Sequence, residues 1–285
     1  MEIIKRIPQM KSLARKLRAE GKKLSFVPTM GALHVGHLSL MQRARQMSDA
    51  VIVSIFINPI QFSPNEDFEK YPRNLASDAE LCATRGVDYI FSPLIDEIYP
   101  EDFATYVAVE GLSDKLCGAS REGHFRGVTT VVAKLLNIVH PHYAFFGRKD
   151  AQQAIIVKRM VRDLSIDAEI VVGPTVREED GLALSSRNAY LTPSEREAAT
   201  VLHRALEKAQ VLYGSGARDS DAILSAMEGI IAAEPLARVD YIAIVDTHEL
   251  EPLQMIRDDQ TVLIAIAAYI GKTRLIDNVV LNGEI

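Results

Sequence analysis

The chain has 285 residues, 48% of them hydrophobic and 25% charged, which fits a folded globular protein and excludes an intrinsically disordered one. Its formal net charge of -6 argues against a general nucleic-acid surface. Two cysteines, Cys82 and Cys117, match no zinc spacing, and a disulfide framework is not expected at this length. The opening residues Met1-Glu2-Ile3-Ile4-Lys5-Arg6 lack the apolar centre of a secretion signal, and the longest apolar run, Thr261 to Ile270, is too short to span a bilayer. The expectation is a cytoplasmic protein that engages neither membrane nor nucleic acid.

In chain order, apolar β-branched runs predict strands at 24–28, 50–57, 87–91, 143–146 and 168–172. Helical periodicity lies between them at 9–20, 37–47, 74–85, 127–139 and 150–164. This alternation predicts an α/β domain over 1–176, a Rossmann-like doubly wound parallel sheet. Such sheets bind ligands beyond the carboxyl ends of their strands. The turns at His34, at Asn58-Pro59-Ile60-Gln61 and at Gly147-Arg148-Lys149-Asp150 all follow strands and are expected on one sheet edge. Beyond residue 177 the pattern changes. Helices at 193–213 and 219–233 precede strand-like runs at 239–245, 261–268 and 275–281. A smaller C-terminal α+β domain over 177–285, with an antiparallel sheet, is predicted, and it could close over a bound nucleotide.

The segment Met30-Gly31-Ala32-Leu33-His34-Val35-Gly36-His37 sits where a strand turns into a helix. A helix start presents unpaired N–H groups and a positive dipole end, which suits phosphate. Two imidazoles there can donate to phosphate oxygens as charge moves. Gly36, lacking a Cβ, would let a nucleotide approach closely. Lys149 at a second helix start reads either as a polyphosphate ligand or as a solvated turn residue beside a capping Asp150. The loop Asp180 to Asn188 holds Ser185, Ser186 and Arg187, which read as a phosphate clamp or as a polar connector. Asn58, Gln61 and Gln153 could hold a small polar acid. His124 and Arg126, in another charged loop, could face the cleft or be ordinary loop polarity. Gly271-Lys272-Thr273 looks like the end of a P-loop, but Ile266 stands where its first glycine belongs.

Taken in order, these blocks, with Val53-Ser54-Ile55-Phe56-Ile57-Asn58-Pro59-Ile60-Gln61-Phe62, Tyr71-Pro72-Arg73, Gly123 to Val128 and Arg274-Leu275-Ile276-Asp277-Asn278, are specific. From about Ile3 to Asn278 the chain resembles the pantothenate synthetases (pantoate–β-alanine ligases), a family of the nucleotidyltransferase superfamily that carries the His-x-Gly-His motif. The resemblance implies a ligation using ATP and Mg²⁺. Pantoate is adenylated with loss of diphosphate, and the β-alanine amine then displaces AMP to give pantothenate, a precursor of coenzyme A.

The resemblance also implies site residues. ATP would be lined by Met30, Gly31, Ala32, Leu33, His34, Val35, Gly36, His37, Gly147, Arg148, Lys149, Asp150, Val176, Leu184, Ser185, Ser186 and Arg187. Gln61 and Gln153 would hold pantoate, and Gln61 would also face β-alanine. His37, the family's catalytic acid, would act with His34, Lys149 and Arg187, chiefly as an electrostatic clamp on the departing phosphates. Asp78 would join a magnesium shell, and the assembly would be a homodimer. Arg148 stands where the family usually has Glu, which alters local charge beside Lys149.

Overall fold

In a computed structural model of the chain, which describes residues 1–64 and 66–285, strands and helices alternate through the first part. In order they are β1 (Glu2–Ile4), α1 (Ile7–Ala19), β2 (Leu24–Thr29), α2 (Val35–Met47), β3 (Ala50–Ile55), α3 (Leu75–Ala83), β4 (Tyr89–Phe91), α4 (Ile95–Ile98), α5 (Cys117–Ser120), α6 (His124–Val139), β5 (Tyr143–Gly147), α7 (Ala151–Asp163) and β6 (Glu169–Gly173). There follow α8 (Pro193–Ala198), α9 (Val201–Gly214), α10 (Ser220–Ala232), β7 (Ala237–Asp246), β8 (Val262–Ile270) and β9 (Thr273–Leu281). Two compact units divide the chain. The first holds Met1–Asp114, Arg121–Gly147 and Ile156–Gly173; the second holds Lys115–Ser120, Arg148–Ile155 and Pro174–Ile285.

The first unit is built on a six-stranded sheet in the order β1-β4-β3-β2-β5-β6, with every pair parallel. Successive strands step outward from β2 to β4; the chain then returns to place β5 on the other flank of β2. The direction reverses between β2 and β5, the position where such sheets take ligands. Side chains alternate across the sheet, and both faces are apolar. Val27, Val51 and Val53 join Leu38, Met41 and Ala44 of α2 and Cys82 of α3 in one cluster. Phe26 and Ile52 point to the opposite face and are fully buried too. Each such side chain contributes about 1.5–3 kcal/mol of burial, which is why the strands read as unbroken apolar runs. β1 shows no such run: it is three residues long and exists through its pairing with β4.

The second unit has a three-stranded antiparallel sheet, β7-β8-β9, covered by α9 and α10. Its core joins Leu202 and Leu206 to Ile223, Met227, Ile264 and Ile266. Gly271 and Lys272 are the hairpin turn between β8 and β9, which accounts for the P-loop look-alike. The single helix expected at 193–213 is two. Around Thr200 the ladder shifts to tighter bonds, Thr200 N–H to Glu197 O at 3.2 Å and Leu202 N–H to Ala199 O at 3.4 Å. The Thr200 hydroxyl also donates to Glu197 O at 2.8 Å, a local competitor for the helical carbonyl.

Candidate functional site

In the first unit the candidate residues gather at the end of β2. Gly31 N–H donates to the Thr29 hydroxyl oxygen at 3.2 Å, and that hydroxyl donates to Ser54 O at 2.7 Å. Asp78, on α3 and only 4% exposed, takes the next two backbone donors. Ala32 N–H reaches its Oδ2 at 3.1 Å and Leu33 N–H its Oδ1 at 2.8 Å. Ala32 is held with φ at 50°, an unfavourable conformation for a side-chain-bearing residue, and the carboxylate fixes it there.

His34 then caps α2. Its Nδ1 accepts Gly36 N–H at 3.2 Å, and Nδ1 of His37 accepts His34 N–H at 3.3 Å. The two rings form a capping box, a task usually given to Ser or Thr with Glu. A nitrogen that accepts carries no proton, so both rings are Nε2–H tautomers in this arrangement. Their centroids are 4.1 Å apart. Gly36 also has a use inside the motif. A Cβ there would lie 2.9 Å from His34 Cε1 and 3.0 Å from Nδ1. The missing side chain makes room for the imidazole of the motif itself.

Gln61 ends a 3₁₀ turn, Pro59–Gln61, after β3, and is buried. Asn58 Nδ2 donates to Gln61 Oε1 at 2.9 Å and to Gly127 O at 3.1 Å, and the Tyr99 hydroxyl donates to Asn58 Oδ1 at 2.7 Å. Burial pushes the Tyr99 hydroxyl pKa up, keeping it a donor. Gln61 Nε2 is 3.0 Å from Met30 Sδ, which brings Gln61 to the β2 turn. Behind Gln61, its carbonyl contacts His124 Nδ1 at 2.8 Å; His124 Nε2 meets Arg121 at 2.8 Å, and Arg121 pairs with Glu66 at 2.5 and 2.7 Å. Burial opposes ionisation of Glu66, but Arg121 outweighs it and its pKa is lowered. Glu66, Tyr99 and Arg121 carry no sequence signal as site supports. Arg126 lies 3.8 Å over the Tyr106 ring, so it serves loop packing.

In the second unit, Arg148, Lys149 and Asp150 form a 3₁₀ turn leading straight into α7, with Lys149 Nζ 3.9 Å from Asp150 Oδ1. Val176 and Leu184 are joined by Leu184 N–H to Val176 O at 3.0 Å, across a hairpin closed by Arg177 and Ala183. Its outgoing arm delivers Ser185, whose hydroxyl accepts Arg187 N–H at 3.3 Å and caps the turn Ser186–Tyr190. A small cavity is lined by Lys149, Ser185 and Asn188, so turn and loop are neighbours. Gln153 is half-buried on α7. Gln152 beside it is structural: its Oε1 accepts Cys117 N–H at 3.0 Å and its Nε2 donates to Lys115 O at 2.7 Å. Both cysteines are free and buried; burial, with Asp78 nearby, pushes the Cys82 thiol up to about 12.

For magnesium the donor set is thin. Both Asp78 oxygens already accept backbone N–H groups, and among the described residues no three His, Cys, Asp or Glu side chains are grouped to hold a metal. Mg²⁺ commonly relies on substrate phosphates plus one or two carboxylates, so a metal here would arrive with its nucleotide.

A family model described as pantoate-beta-alanine ligase matches residues 2–280. A pantothenate synthetase from Moorella thermoacetica is 56% identical over 282 residues, 99% of each chain. The crystal structure of pantothenate synthetase from Thermus thermophilus matches with a TM-score of 0.92 at 45% identity, covering 98% of this chain and 99% of that one. A pantoate-beta-alanine ligase from Francisella tularensis, crystallised with beta-gamma ATP and beta-alanine, matches with a TM-score of 0.80 at 36% identity, covering 100% and 99%.

Proposed function

We propose a function from one premise: this chain belongs to the pantoate-beta-alanine ligase family. It condenses pantoate with β-alanine at the expense of ATP, in two steps. A pantoate carboxylate oxygen attacks the α-phosphorus; an O–P bond forms and the bond to diphosphate breaks. The β-alanine amine then attacks the acyl carbon of pantoyl adenylate. A C–N bond forms, the C–O bond to AMP breaks, and the amine gives up a proton.

The observation that supports this reading best is the histidine capping box at the start of α2, beside Gln61. Two neutral Nε2–H donors at a helix N-terminus suit an anion whose charge grows on leaving. In this reading His34 and His37 stabilise the departing diphosphate, each as a hydrogen-bond donor through its Nε2–H. Lys149 and Arg187, with Ser185 and Ser186, hold the phosphates; Gln61 and Gln153 hold pantoate, and Gln61 faces β-alanine. Magnesium enters as part of the nucleotide substrate, and Asp78 holds the 31–33 turn. No covalent enzyme intermediate is needed, so positioning and electrostatics supply the rate. A homodimer working in the cytoplasm belongs to the same proposal; among the described residues no helix is long and apolar enough to cross a membrane.

The test is an AMP-release assay with pantoate, β-alanine, ATP and Mg²⁺, each omitted in turn. Every omission abolishes the signal if the reading is right. AMP release indifferent to β-alanine overturns it; diphosphate release with no AMP in the complete mixture overturns it in favour of an enzyme that stops at the adenylate.

A further inference from the structure

The block Arg274-Leu275-Ile276-Asp277-Asn278 contains two polar side chains that are almost completely buried in β9: Asp277 is 3% and Asn278 5% exposed. Neighbouring residues of a strand face opposite sides, so the pair can serve two segments. Asn278 Nδ2 donates to two consecutive carbonyls, Arg148 O at 2.9 Å and Lys149 O at 2.8 Å. Asp277 takes Arg177 in a two-pronged ion pair at 2.5 and 2.9 Å. Arg177 also donates to Gly181 O at 3.0 Å, inside the hairpin that leads to Ser185 and Arg187. Asn278 N–H closes the set on Asp277 Oδ1 at 2.8 Å. The cost is visible in one atom: Asn278 Oδ1 is buried with no hydrogen-bond partner among the described residues. Burying an unpaired acceptor costs stability. An apolar residue would fill a strand core more cheaply, so the side chain is kept for its two donors.

We infer that Asn278 is a positioning residue: it clamps the carbonyls of Arg148 and Lys149 and so fixes where the Lys149 ammonium sits, while Asp277 anchors the neighbouring phosphate loop through Arg177. The inference rests on the proposed role of Lys149 and deepens it. Lys149 serves the phosphates that depart in the first step, so its placement matters to adenylation and not to amide formation.

The experiment uses the full chain as Asn278→Ala, Lys149→Ala and the double variant. Adenylation is read by pantoate-dependent ATP–pyrophosphate exchange. Amide formation is read with preformed pantoyl adenylate and β-alanine. Asn278→Ala slows adenylation roughly 10- to 100-fold, with a raised KM for ATP. It leaves aminolysis within roughly twofold. The double variant is no slower than Lys149→Ala, because both changes remove one device. Equal losses in both steps, or losses that multiply in the double variant, overturn the inference and leave Asn278 a packing residue. If Lys149→Ala leaves adenylation intact, the reading of Lys149 itself fails, a separate result. Should Asn278→Ala not fold, Asn278→Ser keeps one shorter donor, and the same selectivity for adenylation with a smaller loss is expected.

Discussion

Gly36 shows how a motif residue can serve its own neighbour. Its lack of a Cβ lets the His34 ring fold back and accept Gly36 N–H, and this sets the tautomer of the His34 imidazole. Two opposed effects make Gly36→Ala informative. By propensity, alanine in a helix gains about 1 kcal/mol over glycine. By geometry, its methyl displaces the ring. The expected outcome is a thermal midpoint nearly unchanged or raised, with turnover reduced roughly tenfold or more. Steady-state kinetics beside a melting curve checks this; unchanged turnover would mean the ring's position is not tied to Gly36.

At the scale of elements, α6 holds the Gln61 turn by close approach. A Cβ at Gly127 would lie 2.4 Å from Ile60 O and 2.7 Å from Gln61 Cα, both of them backbone atoms. Neither atom can swing aside as a side chain would. Gly127→Ala must therefore separate helix from turn and weaken the Asn58 bridge between Gly127 O and Gln61 Oε1. Overpacking of this kind costs about 1–3 kcal/mol. A lowered melting midpoint is predicted, together with a raised KM for pantoate and an unaltered KM for ATP. A rise confined to ATP would detach Gln61 from pantoate.

For the whole molecule, the titrating groups agree on acid sensitivity. Burial, with Arg18 close by, lowers the pKa of His142 below its ordinary 6.5, and its Nδ1 accepts Leu24 N–H at 3.0 Å. Below pH 6.5 the unfolded chain binds the proton more readily, so stability falls as pH drops toward the folded value. Glu66 and Asp246 come next. Burial raises both, but Arg121 for the one and three backbone N–H donors for the other more than offset it, leaving them below 4.5 and 3.8. Their contribution is present above those values and lost as pH falls through the lowered ones. Melting midpoints should therefore decline gently as pH falls below 6.5 and more steeply as it falls below the ordinary carboxylate values of 4.5 and 3.8. His142→Asn keeps an acceptor for Leu24 and removes the titration, so it should flatten the gentle phase. An unchanged slope would assign that phase to other histidines.

By itself the sequence determines the alternation of strand and helix, the antiparallel character of the last sheet, and the family. Periodicity and motif spacing are local, and burial on both faces leaves its mark as continuous apolar runs. It is silent on β1, which only β4 makes a strand, and on the break at Thr200, where one hydroxyl competes with the helix ladder. The tertiary structure decides the supports of the candidate site. Tyr99 orients Asn58 from 41 residues away, Asp78 grips the 31–33 turn from 45 and 46, and Asn278 clamps Lys149 from 129. Partners so distant are joined only by folding: a buried donor or acceptor must find whichever complement the fold brings within reach, and local spacing carries no trace of that choice.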